Sequence, residues 1–262
     1  MKKHKKQGEN TAMAQIISVL SRKGGTGKTT TTQALGNGLT KKGYKVLFID
    51  LDSQGNLSYS VGAKATNKTM YEVIVGGLSI KEAIQHTEQG DIVPSSERLA
   101  ITDKALGNPG DEYRLKEQLD QIKKEYDYIL IDTSAQLGIL TANTLTATNK
   151  VIIPVQADIY SLQGIALLNS SIEPIKKYYN KKLKIEGILI TRFNARSNLS
   201  KDMRDNLENI AKELKTKVFN TSIRECTAIK ESSMLKQPIY DYAPKSNASI
   251  DYMNFVNEII GE

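Results

Sequence analysis

The sequence contains one cysteine, two histidines and no tryptophan, and these scarcities exclude several classes of protein. A single cysteine cannot build a disulfide framework. One cysteine and two histidines also supply too few ligands for a zinc site of the Cys/His type. The low cysteine content favours a reducing, cytosolic location.

Long apolar runs are absent as well. The longest, such as Val46–Ile49, are far shorter than the about 20 residues that span a bilayer. The basic start, Met1–Lys6, has no apolar segment directly after it, so no signal peptide is predicted. With 262 residues, the chain is long enough to bury a sizeable core. Because no repeat or Pro/Gly linker divides it, we expect a disordered basic arm over residues 1–13 and a single domain over residues 14–262.

Positive charge is unevenly distributed. The formal net charge is +7, yet residues 1–12 carry four Lys and one Glu, and residues 176–217 carry twelve Lys or Arg and five acids. A concentrated positive segment suits a polyanionic partner such as nucleic acid. Solvated helix faces on a Lys-rich protein would produce the same pattern, so charge alone leaves both interpretations open.

Short apolar runs alternate with amphipathic stretches along most of the chain. Strands that are apolar throughout and alternate with helices predict an α/β fold, with a mostly parallel twisted sheet covered by helices on both faces. The predicted strands are Ile16–Leu20, Lys45–Leu51, Tyr128–Asp132, Lys150–Val155 and Ile185–Thr191, with a short one near Ile92 and Val93. The predicted helices are Thr29–Lys42, Leu137–Thr148, Leu162–Tyr178, Leu199–Leu214 and Ser249–Ile260, with short helices over residues 69–125 and an irregular segment over residues 53–68.

The strongest motif lies between the first strand and the first helix, and it reads Arg-Lys-Gly-Gly-Thr-Gly-Lys-Thr-Thr over residues 22–30. Glycines let the backbone N–H groups point at phosphate oxygens, and the following helix adds its N-terminal dipole. Lys28 is placed to reach the β- and γ-phosphates, and the Thr29 hydroxyl is placed to ligate Mg²⁺. The expected phosphate-binding residues are Lys23, Gly24, Gly25, Thr26, Gly27, Lys28, Thr29 and Thr30.

The motif departs from the common phosphate-binding loop in one respect. Its first glycine would fall at position 22, which is Arg, and a second lysine, Lys23, stands five residues before Lys28. This loop resembles that of the ParA/MinD family of P-loop ATPases, which carry a deviant Walker A motif. The resemblance implies that Lys23 reaches across a dimer to the nucleotide of the other subunit.

A second motif follows the second strand, where Asp50 and Asp52 stand at the C-terminal end of a buried apolar run. The segment resembles the D-x-D-P-Q-G-N switch of the family. By that resemblance, Asp52 orients or polarises the attacking water, and Asp50 belongs to the Mg²⁺ shell or holds the loop. Ser53 replaces the family's proline. Paired aspartates at a strand end can also serve only as turn caps.

A third motif is the apolar run ending at Asp132, which matches a Walker B segment with its Mg²⁺ aspartate. The family reads D-T-P-P-S-L-G here, whereas this chain has Ser134, Ala135 and Gln136 after Thr133. The metal-binding aspartate is therefore retained without the two-proline switch, so nucleotide binding is a firmer expectation than the rate of hydrolysis.

Weaker similarity continues to about residue 260, and the small Soj-like ParA proteins match most closely. In those proteins, the arginines that correspond to Arg196 and Arg224 help the dimer hold DNA without sequence preference, and both lie in or just after the basic segment. The alternative interpretations are a surface loop residue for Arg196 and an ion-pair partner at the edge of the core for Arg224. Lys201, Arg204 and Lys230 extend the basic patch in this interpretation. Cys226 is expected to be structural.

The resemblance implies an ATP hydrolase with ATP and Mg²⁺ as cofactors that forms a homodimer with ATP, binds non-specific DNA and responds to a ParB-like centromere-binding partner protein. Its expected location is cytoplasmic and nucleoid-associated, with no membrane partner. Positioning of a protein cargo along DNA is an alternative that the sequence does not separate from DNA partition. A MinD-like membrane regulator requires a basic C-terminal amphipathic helix, whereas no Lys or Arg follows Lys245.

Overall fold

A computed structural model of the protein describes residues 13–156, 158–194 and 198–262, without the side chains of residues 159, 160 and 198–202. The predicted arm, apart from Met13, lies outside the described residues, and so does Arg196.

The described residues form one sheet of seven strands in the order β3-β4-β2-β5-β1-β6-β7. All neighbouring strands are parallel except the β3–β4 hairpin. This architecture confirms the predicted α/β fold. The strands are β1 (Gln15–Val19), β2 (Val46–Leu51), β3 (Gln85–Thr87), β4 (Gly90–Val93), β5 (Tyr128–Thr133), β6 (Lys150–Gln156) and β7 (Lys184–Thr191).

Helices connect the strands and cover both faces of the sheet. They are α1 (Lys28–Lys41), α2 (Asn56–Ser60), α3 (Met70–Ile74), α4 (Ile80–Ala83), α5 (Thr102–Ala105), α6 (Arg114–Asp120), α7 (Ile139–Ala147), α8 (Ile159–Tyr178), α9 (Asn198–Glu213), α10 (Ala228–Met234), α11 (Ile239–Tyr242) and α12 (Asn247–Ile260). Two 3-10 turns, Glu97–Ile101 and Asp111–Tyr113, precede α5 and α6.

The long elements begin and end within three residues of their predicted bounds, but several short ones differ from the prediction. The segment over residues 53–68, expected to be irregular, contains α2, and β3, α10 and α11 were not predicted at all. Each of these elements has seven residues or fewer, which is too short for a hydrophobic period to be recognised.

The central strands are buried on both faces, which explains their continuous apolar sequences. Along β2, Phe48 joins a cluster with α1 and α12, whereas its neighbours Leu47 and Ile49 join a second cluster with α3 and α6. This alternation follows from the two-residue repeat of a strand. A third cluster lies between β6, β7, α8 and α9.

Helix α1 is packed unusually close to its neighbours. A Cβ atom on Gly36 would lie 2.2 Å from the ring of Phe48, and one on Gly38 would lie 2.6 Å from Val256 of α12. The C-terminal helix α12 turns its apolar face into the core, where Phe255 and Val256 are fully buried. Across the residues that the structure covers, none of the helices combines the length and apolar character that a bilayer-spanning segment requires.

A buried glutamine ties α1 to the edge of the sheet. The side-chain oxygen of Gln89, in the β3–β4 turn, accepts hydrogen bonds from Gln33 (3.0 Å) and Asn37 (2.9 Å) of α1. Its nitrogen donates to the carbonyl oxygens of Ser60 (2.7 Å) and Lys236 (2.9 Å). One amide therefore connects four segments of the chain.

The strand order decides where the polar residues at the strand ends meet. Because β5 lies between β1 and β2, Asp132 of β5 is directly opposite Val19 on one side and Asp50 on the other. The loop after β1 and the aspartates of the second and third motifs therefore share one edge of the sheet, the C-terminal edge at which α/β proteins bind ligands.

Candidate nucleotide-binding site

The loop between β1 and α1 has the backbone conformation that its glycines allow. Gly25 and Gly27 have φ angles of 75° and 89°, which residues other than glycine rarely adopt. The loop is anchored from the side, because Gln156 donates to the Gly25 carbonyl (2.7 Å) and the Thr191 hydroxyl donates to the Thr26 carbonyl (2.8 Å). The first hydrogen bond of α1 runs from Thr31 to Gly27, so the N–H groups of its first turn have no acceptor within the helix.

Lys28 begins this helix and is only 8% exposed. Burial lowers the pKa of its ammonium group, and the negative charges of Asp132 and Asp52 oppose that shift. A positive charge with little water around it at a helix N-terminus attracts an anion strongly. Its position is compatible with phosphate binding, and that role of Lys28 stays a prediction.

Thr29 and Asp132 form the part of the site that fits Mg²⁺. The Thr29 hydroxyl donates to Oδ2 of Asp132 (2.6 Å), while Oδ1 of Asp132 is buried without a hydrogen-bond partner within the described residues. Burial, together with the charge of Asp50, raises the pKa of Asp132 above its ordinary value, and a bound cation would oppose that shift by favouring the charged carboxylate. An aspartate carboxylate and a threonine hydroxyl are the protein groups that hold Mg²⁺ in P-loop proteins.

No group of three or more acidic, histidine or cysteine side chains in the described part of the chain forms a ready-made metal cluster. Mg²⁺ commonly uses one or two protein ligands and completes its shell with phosphate oxygens and water. The residues present therefore fit a metal that enters together with a nucleotide.

Asp50 and Asp52 have different surroundings. Asp50 is fully buried, and its two oxygens accept hydrogen bonds from the backbone of Asp52 (3.1 Å) and from the backbone and hydroxyl of Ser58 (2.8 and 2.7 Å). Burial raises the pKa of Asp50 to about 6. These contacts support its loop-holding role, and its metal role stays a prediction. Asp52 is partly exposed and lines the cavity beside the loop.

A cavity of about 480 Å³ opens beside the loop and brings the three motifs together. It also reaches the end of β7 and the segment that leads into α10. Its lining comprises residues 24–30 of the loop, Asp52, Ser53, Gln54, Asn56, Ser134, Ala135, Gln136, Thr191, Arg192, Ile223, Arg224, Glu225, Cys226, Ile229, Lys230 and Tyr252. A space of this size, with a basic floor and a partly apolar far end, accommodates a nucleotide.

Lys23 differs from the rest of the loop because it is not among the lining residues of this cavity. Its ammonium group pairs with Asp158 at 2.5 Å, and both side chains are about one-third exposed. Asp158 also accepts a hydrogen bond from the Ser161 backbone (3.0 Å) and so caps α8. The structure thus places Lys23 at the rim of the site, held by the segment after β6.

The residues predicted to bind DNA are only partly described, since Arg196 lies outside the described residues. Arg224 lies at the cavity wall, where its guanidinium group donates twice to Asp251 of α12 (2.9 and 2.7 Å). Arg204 donates to the Phe219 carbonyl (3.0 Å) and the Ser222 hydroxyl (3.1 Å). Both arginines therefore have structural partners, and their contact with DNA stays a prediction.

Comparison with known proteins adds to this geometry. A family model described as "AAA domain" matches residues 14–185. The chain is 34% identical to the sporulation initiation inhibitor protein Soj of Bacillus subtilis, with 94% of this chain and 98% of that protein covered. It is 33% identical to the chromosome partitioning protein ParA of Myxococcus xanthus, with 95% and 88% covered. The chain belongs to the ParA/MinD family of P-loop ATPases. Within that family it is close to the Soj-like ParA proteins.

Solved structures agree with this assignment. The septum site-determining protein MinD of Pyrococcus horikoshii, complexed with Mg-ADP, superposes with a TM-score of 0.77 at 26% identity, covering 94% of this chain and 96% of MinD. A cobyrinic acid a,c-diamide synthase of Mycobacterium smegmatis with bound ADP and magnesium has a TM-score of 0.81 at 29% identity, covering 95% and 94%. This ParA-like protein is an ATP hydrolase whose cofactors are ATP and Mg²⁺.

Several residues of the site were missed by the sequence argument. Asp158, the partner of Lys23, follows β6. Arg192 follows β7, and Glu225 lies in the segment before α10. The rule that ligands bind at the C-terminal ends of parallel strands could have pointed to Asp158 and Arg192. Nothing in the local sequence marks Tyr252, which reaches the cavity from α12 and hydrogen-bonds with the Thr31 hydroxyl (3.2 Å).

Proposed function

We propose that this ATPase segregates plasmid or chromosomal DNA, forming a dimer on binding ATP, holding DNA without sequence preference and releasing it after hydrolysis. The observation that carries the proposal is the position of Lys23. Its ammonium group is directed to the rim of the site and is held by Asp158, while Lys28 alone occupies the buried lysine position of the loop. A rim lysine is placed to enter the site of a second subunit facing it.

The proposal assigns a role to each of the remaining site residues. Lys28 and the loop N–H groups would hold the phosphates, Thr29 and Asp132 would hold Mg²⁺, and the partly exposed carboxylate of Asp52 would orient the attacking water. Lys23 of the facing subunit adds positive charge where negative charge develops in the transition state. Hydrolysis removes the γ-phosphate that both subunits share, so the dimer opens.

Binding to DNA is supported by charge. The segment over residues 176–217 is strongly basic, and Arg224 follows it. Asp251 holds the guanidinium group of Arg224 in one orientation beside the nucleotide cavity, so a change in the nucleotide can be transmitted to this group. Contacts between arginine or lysine and phosphate groups are tolerant of sequence and sensitive to salt. A DNA-bound ParB-like partner is the stimulator of hydrolysis in this proposal, and the nucleoid is the site of action.

The first test compares binding to random-sequence DNA with ATP, with ADP and without nucleotide. We expect binding with ATP only, and a steep loss of affinity as salt rises. The double variant Arg196→Ala/Arg224→Ala should bind weakly, whereas Lys123→Ala/Lys124→Ala removes the same charge at the opposite end of the sheet and should bind normally. Equal binding in all nucleotide states, or no difference between the two double variants, contradicts the proposal.

The second test concerns the role of Lys23 and Asp52 in turnover. Lys23→Ala and Asp52→Ala should each lower the ATPase rate at least about tenfold, because each removes a charge needed in the transition state. Lys23→Ala should also lose ATP-dependent dimerisation in light scattering, whereas Asp52→Ala should keep it.

Pelleting with liposomes of anionic lipid distinguishes the membrane-regulator alternative, and we expect no pelleting.

A further inference from the structure

Helix α7 follows the third motif, and it begins without a capping side chain of its own. Its N-cap residue is Gly138, which makes no side-chain hydrogen bond, and the first turn contains no acidic residue. Residues 134–136, just before this helix, line the nucleotide cavity. The start of α7 therefore fixes one end of the segment that faces the nucleotide.

The missing cap is supplied by Asp103, which lies 36 residues away in the short helix α5. Its Oδ1 atom accepts a hydrogen bond from the backbone N–H of Ile139 at 2.7 Å. The carboxylate lies so close to Gly138 that a Cβ atom there would be 2.4 and 2.5 Å from its two oxygens. Only glycine at position 138 permits this approach.

The surroundings of Asp103 connect both switch segments. A small cleft is lined by Asp103 together with Ser53 from the segment after β2 and Ser134 and Gln136 from the segment after β5. In helix α5, Thr102 is buried, and its hydroxyl donates to the Leu99 carbonyl (2.9 Å). Asp103 thus extends from α5 to the end of a segment that has no proline.

We propose that Asp103 is a positioning residue for ATP hydrolysis, which holds residues 134–138 against the nucleotide by capping α7. It does not touch the nucleotide itself. Proline would restrict the backbone of such a segment directly, whereas this chain has Ser134, Ala135 and Gln136 there and restrains the segment from its far end. The N-terminal cap also offsets the partial positive charge of the helix end.

The test measures kcat and KM for ATP in Asp103→Ala and Asp103→Asn. We expect Asp103→Ala to lower kcat at least fivefold and to leave KM and the affinity for ADP within twofold, because the phosphate loop is not altered. Asp103→Asn keeps an oxygen acceptor and caps nearly as well, so it should retain at least half of the kcat. Lys104→Ala, the exposed neighbour in the same helix, is the matched control and should behave as wild type.

A second measurement separates positioning from general stability. Hydrogen exchange of the Ile139 amide should accelerate in Asp103→Ala and stay slow in Asp103→Asn, with the core strands equally protected in both. If Asp103→Ala does not fold, Gly138→Ala tests the same contact, because its methyl group must displace the carboxylate and should lower kcat similarly. A wild-type kcat in Asp103→Ala or in Gly138→Ala, or an Asp103→Asn variant as slow as Asp103→Ala, overturns the proposal.

Discussion

The hydroxyl of Thr29 and the carboxylate of Asp132 are joined by a 2.6 Å hydrogen bond, although they are 103 residues apart in the sequence. The bond links the first turn of α1 to the end of β5. It leaves the other carboxylate oxygen of Asp132 buried and without a partner in the described part of the chain. A buried acceptor without a partner is costly, so this pair is arranged for a cation that arrives with the nucleotide.

The first prediction concerns this pair. Asp132→Asn should lower Mg²⁺-dependent ATP hydrolysis roughly tenfold or more, because losing a charged contact of this kind costs about 1.5–3 kcal/mol. The measurement is the ATPase rate across a titration of Mg²⁺. Ser18→Ala is a suitable control, since the Ser18 hydroxyl is also buried and without a hydrogen-bond partner among the described residues but lies within β1. An unchanged Mg²⁺ dependence in Asp132→Asn would refute the metal assignment.

The second prediction concerns the ion pair at the rim. In the proposed dimer, Lys23 must leave Asp158 to reach the facing nucleotide, so the pair within one chain competes with dimerisation. Asp158→Asn removes that competitor and keeps a side chain able to cap α8. We expect the variant to dimerise with ATP at a several-fold lower protein concentration in analytical ultracentrifugation. Asp120→Asn, which loses a carboxylate paired with surface lysines, should dimerise as wild type; weaker dimerisation of Asp158→Asn would count against the exchange of partners.

The third prediction follows from the pKa of Asp158. Burial acts to raise it, but the hydrogen bond and charge of Lys23, with the hydrogen bonds of Ser161, lower it below the ordinary 3.8. A carboxyl group with a lower pKa in the folded state binds fewer protons than in the unfolded state, so it stabilises the fold above about pH 4 and loses that effect as the pH falls further. The free energy of unfolding of wild type should exceed that of Asp158→Asn by about 0.2–1 kcal/mol from pH 5 to 8.

That difference should shrink below pH 4, as followed by urea unfolding of the nucleotide-free protein across the pH range. A difference that stays constant down to pH 3 would show that the carboxylate charge is not its source.

The fourth prediction uses two glycines in helices. Gly36→Ala in α1 places a methyl group against the Phe48 ring and should destabilise the protein by about 1–3 kcal/mol. Gly164→Ala in α8 meets no atom within 4 Å and should stabilise it by about 0.5–1 kcal/mol, because alanine is the better helix former. Urea unfolding of both variants measures the contrast, and equal effects would contradict the close packing of α1 on β2.

Much of the fold and of the site could be predicted because local sequence and tertiary structure agree there. The short apolar run over Val46–Leu51 is typical of a buried strand, and it forms one. Gly25 and Gly27 of the phosphate loop have φ angles that other residues rarely adopt. The family and its ATPase activity, inferred from Lys23 and Lys28, were confirmed by the comparisons.

Other features depend on contacts that no local pattern records. The hairpin strand β3 has three residues and is defined by its pairing with β4. The partnership of Lys23 with Asp158 and that of Ile139 with Asp103 join segments 135 and 36 residues apart. Such pairs are set by the strand order, which places β6 beside β1 and α5 beside α7, and a single sequence does not state that order.

The side-chain amide of Gln89 connects α1 with three other parts of the molecule: the β3–β4 turn, the end of α2 and the turn after α10. Because it bonds to α1 on one side and to the carbonyls of Ser60 and Lys236 on the other, α1 cannot shift relative to the hairpin or the turn after α10 without breaking buried hydrogen bonds, which is costly. The ammonium group of Lys236 also lies 4.6 Å from the centroid of the Tyr59 ring, so α2 and the turn after α10 are joined at the surface as well as through the buried amide.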